Sequence, residues 1–361
     1  MAGIVETNQS LIRESLADLL VVVDQKACPF LSQVKRGSAP KNTFVEWGLD
    51  KHKPNLVQTA TYSAGGISNN LPIDGDDITS TDFENYDNRQ KCSVYLQYAR
   101  RVPKVSRLAN MVSDVAGVGF KKEMALSISR ALVSHKRDQE ATFCSSQETA
   151  PETGTGTAGA TPYQTRGLGK WISSTASAVA PVPTDFLTPA SSIVSGAVSG
   201  TGVLTEQDVR GVMQSIYEQT GESDKTFFGL CGTTMKKHIS DFSIFSPRSD
   251  NLTLSNREAD NNRLAYAVDI IESDFGTITL QLSSFLEQQA RTAGGTPVYD
   301  PTIGQKTLFV LNLSQFEACY AEETAVRELP DLGGGARSII ESVFSLKSYS
   351  GGLDHGKVTL T

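Results

Sequence analysis

Two neighbouring pieces decide the architecture: Cys92-Ser93-Val94-Tyr95-Leu96-Gln97-Tyr98-Ala99-Arg100-Arg101-Val102-Pro103, then Lys121-Lys122-Glu123-Met124-Ala125-Leu126-Ser127-Ile128-Ser129-Arg130-Ala131-Leu132. In the first, Cys92, Val94, Leu96 and Tyr98 alternate with Ser93, Tyr95, Gln97 and Ala99, the period of a strand with one buried face. Pro103 ends that strand. In the second, Met124, Ala125, Ile128, Ala131 and Leu132 recur three and four residues apart and form one helical stripe. Lys121, Lys122, Glu123, Arg130, Lys136, Arg137 and Asp138 fill the opposite face. No proline lies between Pro103 and Pro151, so the helix has room for roughly 20 to 30 residues and a length of roughly 30 to 45 Å. Gly117 and Gly119 each cost about 1 kcal/mol relative to Ala in a helix interior, which puts the secure start near Phe120. Ser106 to Ser113 then reads as a separate turn or a kinked start. The whole stretch from Phe83 to Phe143 carries no catalytic punctuation, so it is read as architecture.

Upstream, Asn69, Asn70, Pro72, Asp74, Gly75, Asp76 and Asp77 are turn formers, and the segment from about Pro40 to Gln90 reads as strands joined by open turns. It has too little apolar content to form a core alone. The first forty residues hold a short helical pattern, Leu11 to Leu20, and the basic run Lys35-Arg36-Gly37-Ser38-Ala39-Pro40-Lys41, and read as an arm. Downstream, Ser145 to Gly202 is dominated by Ser, Thr, Ala, Gly and Pro and reads as loops around one anchored segment, Arg166-Gly167-Leu168-Gly169-Lys170-Trp171-Ile172. From Thr205, a plausible N-cap with Asp208 three residues on, Val209, Val212, Met213 and Ile216 line a helix that ends near Gly221. A strand at Thr226 to Leu230, a helix with Met235, Ile239 and Phe242, and strands at Ala267 to Glu272, Thr277 to Leu282 and Thr307 to Leu311 follow, an α+β pattern with antiparallel pairs. The tail holds a long strand, Ile339 to Leu346, then Gly351-Gly352 and a short final strand.

The chain has 361 residues, 39% of them hydrophobic, a net charge of -7 and five singly scattered cysteines. That length suits two or more globular units, and the acidic balance argues against a dedicated nucleic-acid binder. Without a CxxC pair, neither a zinc site nor a disulfide framework is expected, and a reducing site of synthesis is. Leu19 to Val23 is too short to span a membrane, and the N-terminus has no basic export region. No segment repeats at a fixed period, which argues against a solenoid or propeller.

Candidate chemistry is weak. Gly154-Thr155-Gly156-Thr157-Ala158-Gly159 matches GxGxxG, but no strand enters it and no apolar helix leaves it, so it reads as a flexible loop. Asp74, Asp76 and Asp77 lack the spacing of a calcium loop and read as a solvated turn. His52, His135, His238 and His355 are isolated, with no metal-ligand spacing. The serine of Gly196-Ala197-Val198-Ser199-Gly200 sits one place late for a nucleophile elbow. No catalytic, cofactor-binding or metal-binding residue is therefore expected, and the chain is read as a non-enzyme without cofactors.

Cys28-Pro29-Phe30-Leu31, Glu46-Trp47-Gly48-Leu49-Asp50, Arg100-Arg101-Val102-Pro103-Lys104-Val105-Ser106, the long helix and the Arg166 to Ile172 anchor occur in an order that resembles the major capsid (major head) proteins of tailed bacteriophages with the Hong Kong 97 fold. The resemblance covers nearly the whole chain. It implies an α+β fold with an N-terminal arm at 1–40 and an extended β loop at 41–100. A peripheral domain with its spine helix would occupy 101–147 and 329–361, a Ser/Thr/Gly/Ala-rich excursion 148–205, and an axial domain 206–328. It further implies self-assembly into hexamers and pentamers, forming an icosahedral head around double-stranded DNA in the virion, after synthesis in the bacterial cytoplasm. Portal, scaffolding and decoration proteins are the implied further partners, and no membrane is involved. Subunit-interface candidates are Phe30, Trp47, Asp50 and Trp171; Lys121, Lys122, Arg130, Lys136 and Arg137 are the DNA-facing candidates. An encapsulin-like nanocompartment shell is the alternative of the same fold. A hydrolase using the Asp-rich turn, or a tail fibre, is the rival of another class.

Overall fold

A computed structural model of the chain describes residues 27–52, 77, 89–112, 123–154, 160–222, 225–242, 268–287 and 301–361. Its first elements are α1 (Pro29–Gln33), β1 (Lys35–Arg36), β2 (Phe44–Leu49), β3 (Gln90–Tyr95), β4 (Gln97–Arg101), α2 (Arg107–Val112), α3 (Glu123–Phe143) and α4 (Leu168–Trp171). Then come β5 (Ile193–Gly196), α5 (Glu206–Thr220), β6 (Thr226–Cys231), α6 (Thr233–Phe242), β7 (Ile270–Ser273) and β8 (Gly276–Leu282). The chain closes with α7 (Pro301–Gln305), β9 (Thr307–Leu311), β10 (Phe316–Leu329), β11 (Arg337–Ser348) and β12 (Gly356–Leu360). One sheet has the order β1-β10-β11-β4, a second the order β5-β12-β9-β6-β8-β7, and β2 pairs with β3 apart from both.

The helix read from the Met124 stripe is α3, with 21 residues. Its buried face differs from the apolar stripe. Met124, Ile128, Ala131 and Leu132 are half-covered and Ala125 is exposed, whereas the fully buried residues are His135, Gln139, Glu140 and Phe143. The reason lies in what the helix covers: Ser342 of β11 points at it, and its hydroxyl meets His135 Nε2 at 2.7 Å and Gln139 Nε2 at 2.9 Å. One serine hydroxyl thus meets two helix side chains in place of an apolar contact, while His135 Nδ1 is buried without a partner.

The alternating run at Cys92 to Ala99 is two strands. Cys92, Ser93 and Val94 are consecutively buried in β3, and at Leu96 the chain leaves β2 and enters the edge of the four-stranded sheet, where Gln97–Arg101 pair with β11. β10 and β11 form a long antiparallel hairpin. Its turn is shaped by Gly333 and Gly335, at φ 89° and 102°, whose N–H groups both donate to the Asp331 carboxylate, at 2.8 and 3.1 Å.

The six-stranded sheet contains the expected antiparallel pairs, β12 with β9, β6 with β9 and β7 with β8, and adds two parallel ones, β6 with β8 and β12 with β5. α5 begins where Asp208 Oδ2 accepts the Thr205 N–H at 2.7 Å and ends at Gly221, φ 70°. Val209, Val212, Met213 and Ile216 pack with Phe227, Met235 and Val310 as one core; a second core joins Phe30, Phe143, Trp171, Phe309, Phe316 and Phe344.

One further expectation is corrected. Leu168 and Trp171 of the anchor segment are buried, but the stretch around it is not only loops: it also buries Val182 and Phe186 and supplies β5 to the six-stranded sheet. A few apolar side chains among small ones are enough to seat it. In the tail, β11 lies in the four-stranded sheet and β12 in the six-stranded one. Gly351, at φ 64°, and the buried turn that follows it make that crossing.

Candidate interaction surface and its buried support

The interface candidates fall into two groups. Phe30 is fully buried, edge-on to Phe143 at 6.3 Å and to Phe316 at 6.1 Å. Trp171 is also buried, its ring 5.9 Å from that of Trp47. Trp47 is half-buried, donates Nε1–H to the Ser348 carbonyl at 3.1 Å and lies under the Lys347 ammonium at 5.3 Å. Asp50 stands exposed after β2. The structure thus brings Phe30, Trp47 and Trp171 to one core and leaves Asp50 at the surface.

Of the basic candidates, Lys121 and Lys122 lie outside the described residues. Arg130 and Lys136 are exposed on α3, while Arg137 is half-buried with its guanidinium 5.8 Å from the Phe285 ring centre. Asp74, Asp76 and residues 155–159 of the glycine-rich loop also fall outside the described residues.

Three buried polar groups hold this region, and none was singled out from sequence for its chemistry. Glu140 of α3 accepts the N–H of Phe30 through Oε1 at 2.9 Å and that of Leu31 through Oε2 at 2.7 Å. Burial pushes its pKa up, and the two backbone donors, Cys144 and Lys136 pull against that push. Arg166 is buried with its guanidinium 4.7 Å from the Trp171 ring centre; Nε donates to Glu148 at 3.0 Å, and Nη2 donates to the carbonyls of Val179 at 3.3 Å and Ala180 at 2.6 Å. The polar tip of the guanidinium ties the anchor segment to the following loop, and its flat face packs the indole.

At the crossing from β11 to β12, Lys225 Nζ meets Asp354 Oδ1 at 2.8 Å with side-chain exposures of 8% and 7%. His355 beside them stacks on Phe316 at 4.3 Å. Its Nδ1 accepts the Asn312 N–H at 3.3 Å, which leaves the proton on Nε2, near Ser348 and Ser350. Burial, and then the Lys225 charge, push its pKa down to about 3, so the ring is neutral. A run of His, Asp and Gly beside a turn gave no sign that these side chains would be buried; only the pairing of β12 with β9 closes the site.

All five cysteines are buried and none is in a disulfide, with burial pushing Cys92 up to about 11 and Cys231 up to about 12. Among the described residues no group of three or more His, Cys, Asp or Glu is placed to hold a metal ion, and no helix is long and apolar enough to cross a membrane. What the arrangement provides is mechanical: three polar clamps that join the N-terminal element, the long helix, the anchor segment and the two sheets.

Solved structures share this organisation. The Cyanophage A-1(L) capsid asymmetric unit is similar over 98% of this chain and 98% of its own, at 13% identity and a TM-score of 0.62. The capsid of Cyanophage P-SCSP1u covers 99% of this chain and 97% of its own, at 11% identity and a TM-score of 0.55. The SrpI encapsulin of Synechococcus elongatus PCC 7942 covers 99% and 96%, at 9% identity and a TM-score of 0.50. At such identities the likeness establishes the fold, the Hong Kong 97 type of phage capsids. Among curated proteins, no sequence matches the chain significantly. The model of the SU10 major capsid protein family matches residues 3–349, so the chain belongs to that family of phage major capsid proteins.

Proposed function

We propose that the chain self-associates into hexamers and pentamers that close into an icosahedral head enclosing double-stranded DNA, with a purely structural role. The family match over residues 3–349 is the observation that carries this reading. In it, the four-stranded sheet with α3 is the peripheral unit, and the six-stranded sheet with α5 and α6 is the axial unit that gathers around the symmetry axes. The arm to Lys41 and the loop from about Lys53 to Asn88 clasp neighbouring subunits; Asp50 meets a neighbour directly, while Phe30, Trp47 and Trp171 hold the surface behind it. The exposed Arg130 and Lys136, with Lys121 and Lys122, face the packaged DNA, where neutralised phosphates give salt-sensitive, sequence-independent contact. The chain is made in the bacterial cytoplasm and ends in the virion, with portal, scaffolding and decoration proteins as further partners.

The likeness to the SrpI encapsulin supports a second reading, a compartment shell that encloses protein. The contents of shells formed during infection decide between them. Nuclease-resistant DNA of uniform length supports the head. Shells that hold a folded protein cargo and no DNA overturn it. Reversing the charges of Lys121 and Lys122 without any change in packaging removes the DNA-facing role.

A further inference from the structure

The four-stranded sheet ends in two open strand edges of opposite charge. On one side, residues 97–107 contain Arg100, Arg101, Lys104 and Arg107 and no acidic residue. On the other, residues 321–331 contain Glu322, Glu323, Glu328 and Asp331 against the single Arg327. Both edges lie at the same level of the sheet: Arg100 is opposite Glu341 of β11, and Glu341 is opposite Ala325 of β10. β1 covers β10 only at Glu317 and Ala318, so among the described residues no strand pairs with the outer side of β10 beyond them. None pairs with the outer side of β4 either.

The charges are ordered across the sheet. On the face turned away from α3, Arg100 of β4 lies opposite Glu341 of β11, Glu341 takes the Arg327 guanidinium of β10 at 3.0 Å, and Arg327 also pairs with Glu322. Tyr98 donates its hydroxyl to Glu341 at 2.9 Å and completes the row. Across the sheet the row is a cation on β4, an anion on β11 and the Arg327–Glu322 pair on β10. A second sheet set edge to edge avoids a like-charge contact in the register that puts its Arg100 beside Glu322 and not beside Arg327. Exposed apolar residues lie along both edges: Val102 is 50% exposed and Leu108 76% on the basic side, Val326 43% and Leu332 81% on the acidic side.

We infer that the distal β10 edge of one copy docks against the 97–107 edge of the next copy of this chain. The contact is heterologous, since two different patches meet, and repetition of such a contact closes rings when the rotation fits. Complementary charge selects the partner and the register, the apolar flanks supply burial, and an otherwise open edge is shielded from unrelated strands. The inference rests on the proposed self-assembly and names the edge that performs it.

Three variants test it, with assembly followed by sedimentation velocity at low and high salt. Arg101 is paired with Asp138 and Glu323 with Arg36, so the free charge of the basic edge rests on Arg100, Lys104 and Arg107 and that of the acidic edge on Glu322, Glu328 and Asp331 against Arg327. Arg100→Glu with Lys104→Glu then makes both edges acidic, and Glu322→Lys with Glu328→Lys makes both basic. Each alone is expected to lower the assembled fraction by about tenfold or more at low salt, because like charges then face each other across the contact. The chain carrying all four changes has its edges exchanged in sign and is expected to assemble again, as is an equimolar mixture of the two double variants. Circular dichroism and thermal unfolding check that each variant is folded; if a double variant is unfolded, recovery by the four-fold variant decides. Folded double variants that assemble like the unmodified chain overturn the edge contact and leave the self-assembly reading standing. A four-fold variant that fails while folded also overturns it. An unmodified chain that stays monomeric overturns both.

Discussion

Glu140 on the long helix accepts the backbone N–H of Phe30, 110 residues earlier in the chain, at 2.9 Å. With the second bond to Leu31, this carboxylate is the fixed point at which the N-terminal element meets α3. Glu140→Ala strands two buried donors, each of which costs about 1 to 3 kcal/mol, so a loss of about 3 kcal/mol in denaturant unfolding is expected. Amide exchange at Phe30 and Leu31 should rise by more than the global loss requires. Unchanged protection at those two amides would show that the clamp is not what holds them.

Arg166 is the second fixed point. Arg166→Met keeps much of the packing on Trp171 but leaves the Ala180 carbonyl without its Arg166 donor, Glu148 without its partner, and the Val179 carbonyl with the Ser177 hydroxyl alone, at 3.0 Å. A loss of about 2 to 4 kcal/mol is expected from breaking a buried charged network on one side, measured by chemical denaturation. Arg166→Lys should recover little of it, because one ammonium cannot reproduce the guanidinium fork. Full stability in the Lys variant would contradict the geometry.

His355 makes stability depend on pH. Its folded value, about 3, lies below the ordinary 6.5, so the unfolded chain binds a proton that the folded chain refuses. Well above pH 6.5 the residue has no effect; stability falls as pH drops from there toward 3. Glu140 acts in the opposite sense. Its raised pKa gives a contribution that is complete below the ordinary carboxylate value and is lost as pH rises through the folded one. His355→Gln should therefore flatten the acid limb of a stability profile between pH 6.5 and about 3 relative to the parent. An unchanged slope would place the acid sensitivity elsewhere.

Gly167 and Gly48 should respond differently to the same change. A Cβ on Gly167 would lie 2.3 Å from the Ser145 carbonyl oxygen, whereas one on Gly48 would meet nothing within 4 Å. Gly167→Ala should destabilise by about 1 to 3 kcal/mol through overpacking, and Gly48→Ala should be near neutral. Thermal melts of the two variants make the comparison.

Elements with their own local rules could be read from the sequence. α3 follows from the spacing of Met124, Ile128, Ala131 and Leu132, and α5 from the Thr205–Asp208 cap and the Gly221 stop. The mixed α and β architecture and its capsid family followed from the order of the short motifs at Cys28, Glu46 and Arg166. What stayed hidden depends on partners distant in the chain. Nothing local distinguishes Glu140 and Gln139 from the solvated charges around them, because their acceptor and donor partners come from residues 30, 31 and 342. Period-two alternation continued through Leu96 although the strand changes sheets there, since alternation reports faces and not neighbours. Ser/Thr/Ala composition concealed Val182 and Phe186, which seat the segment on the Trp171 core.

Electron microscopy of the purified unmodified chain under assembly conditions tests the central claim most directly. The account predicts closed shells of uniform diameter built from five-fold and six-fold clusters of this subunit. A folded chain that remains a monodisperse monomer at high concentration would contradict it.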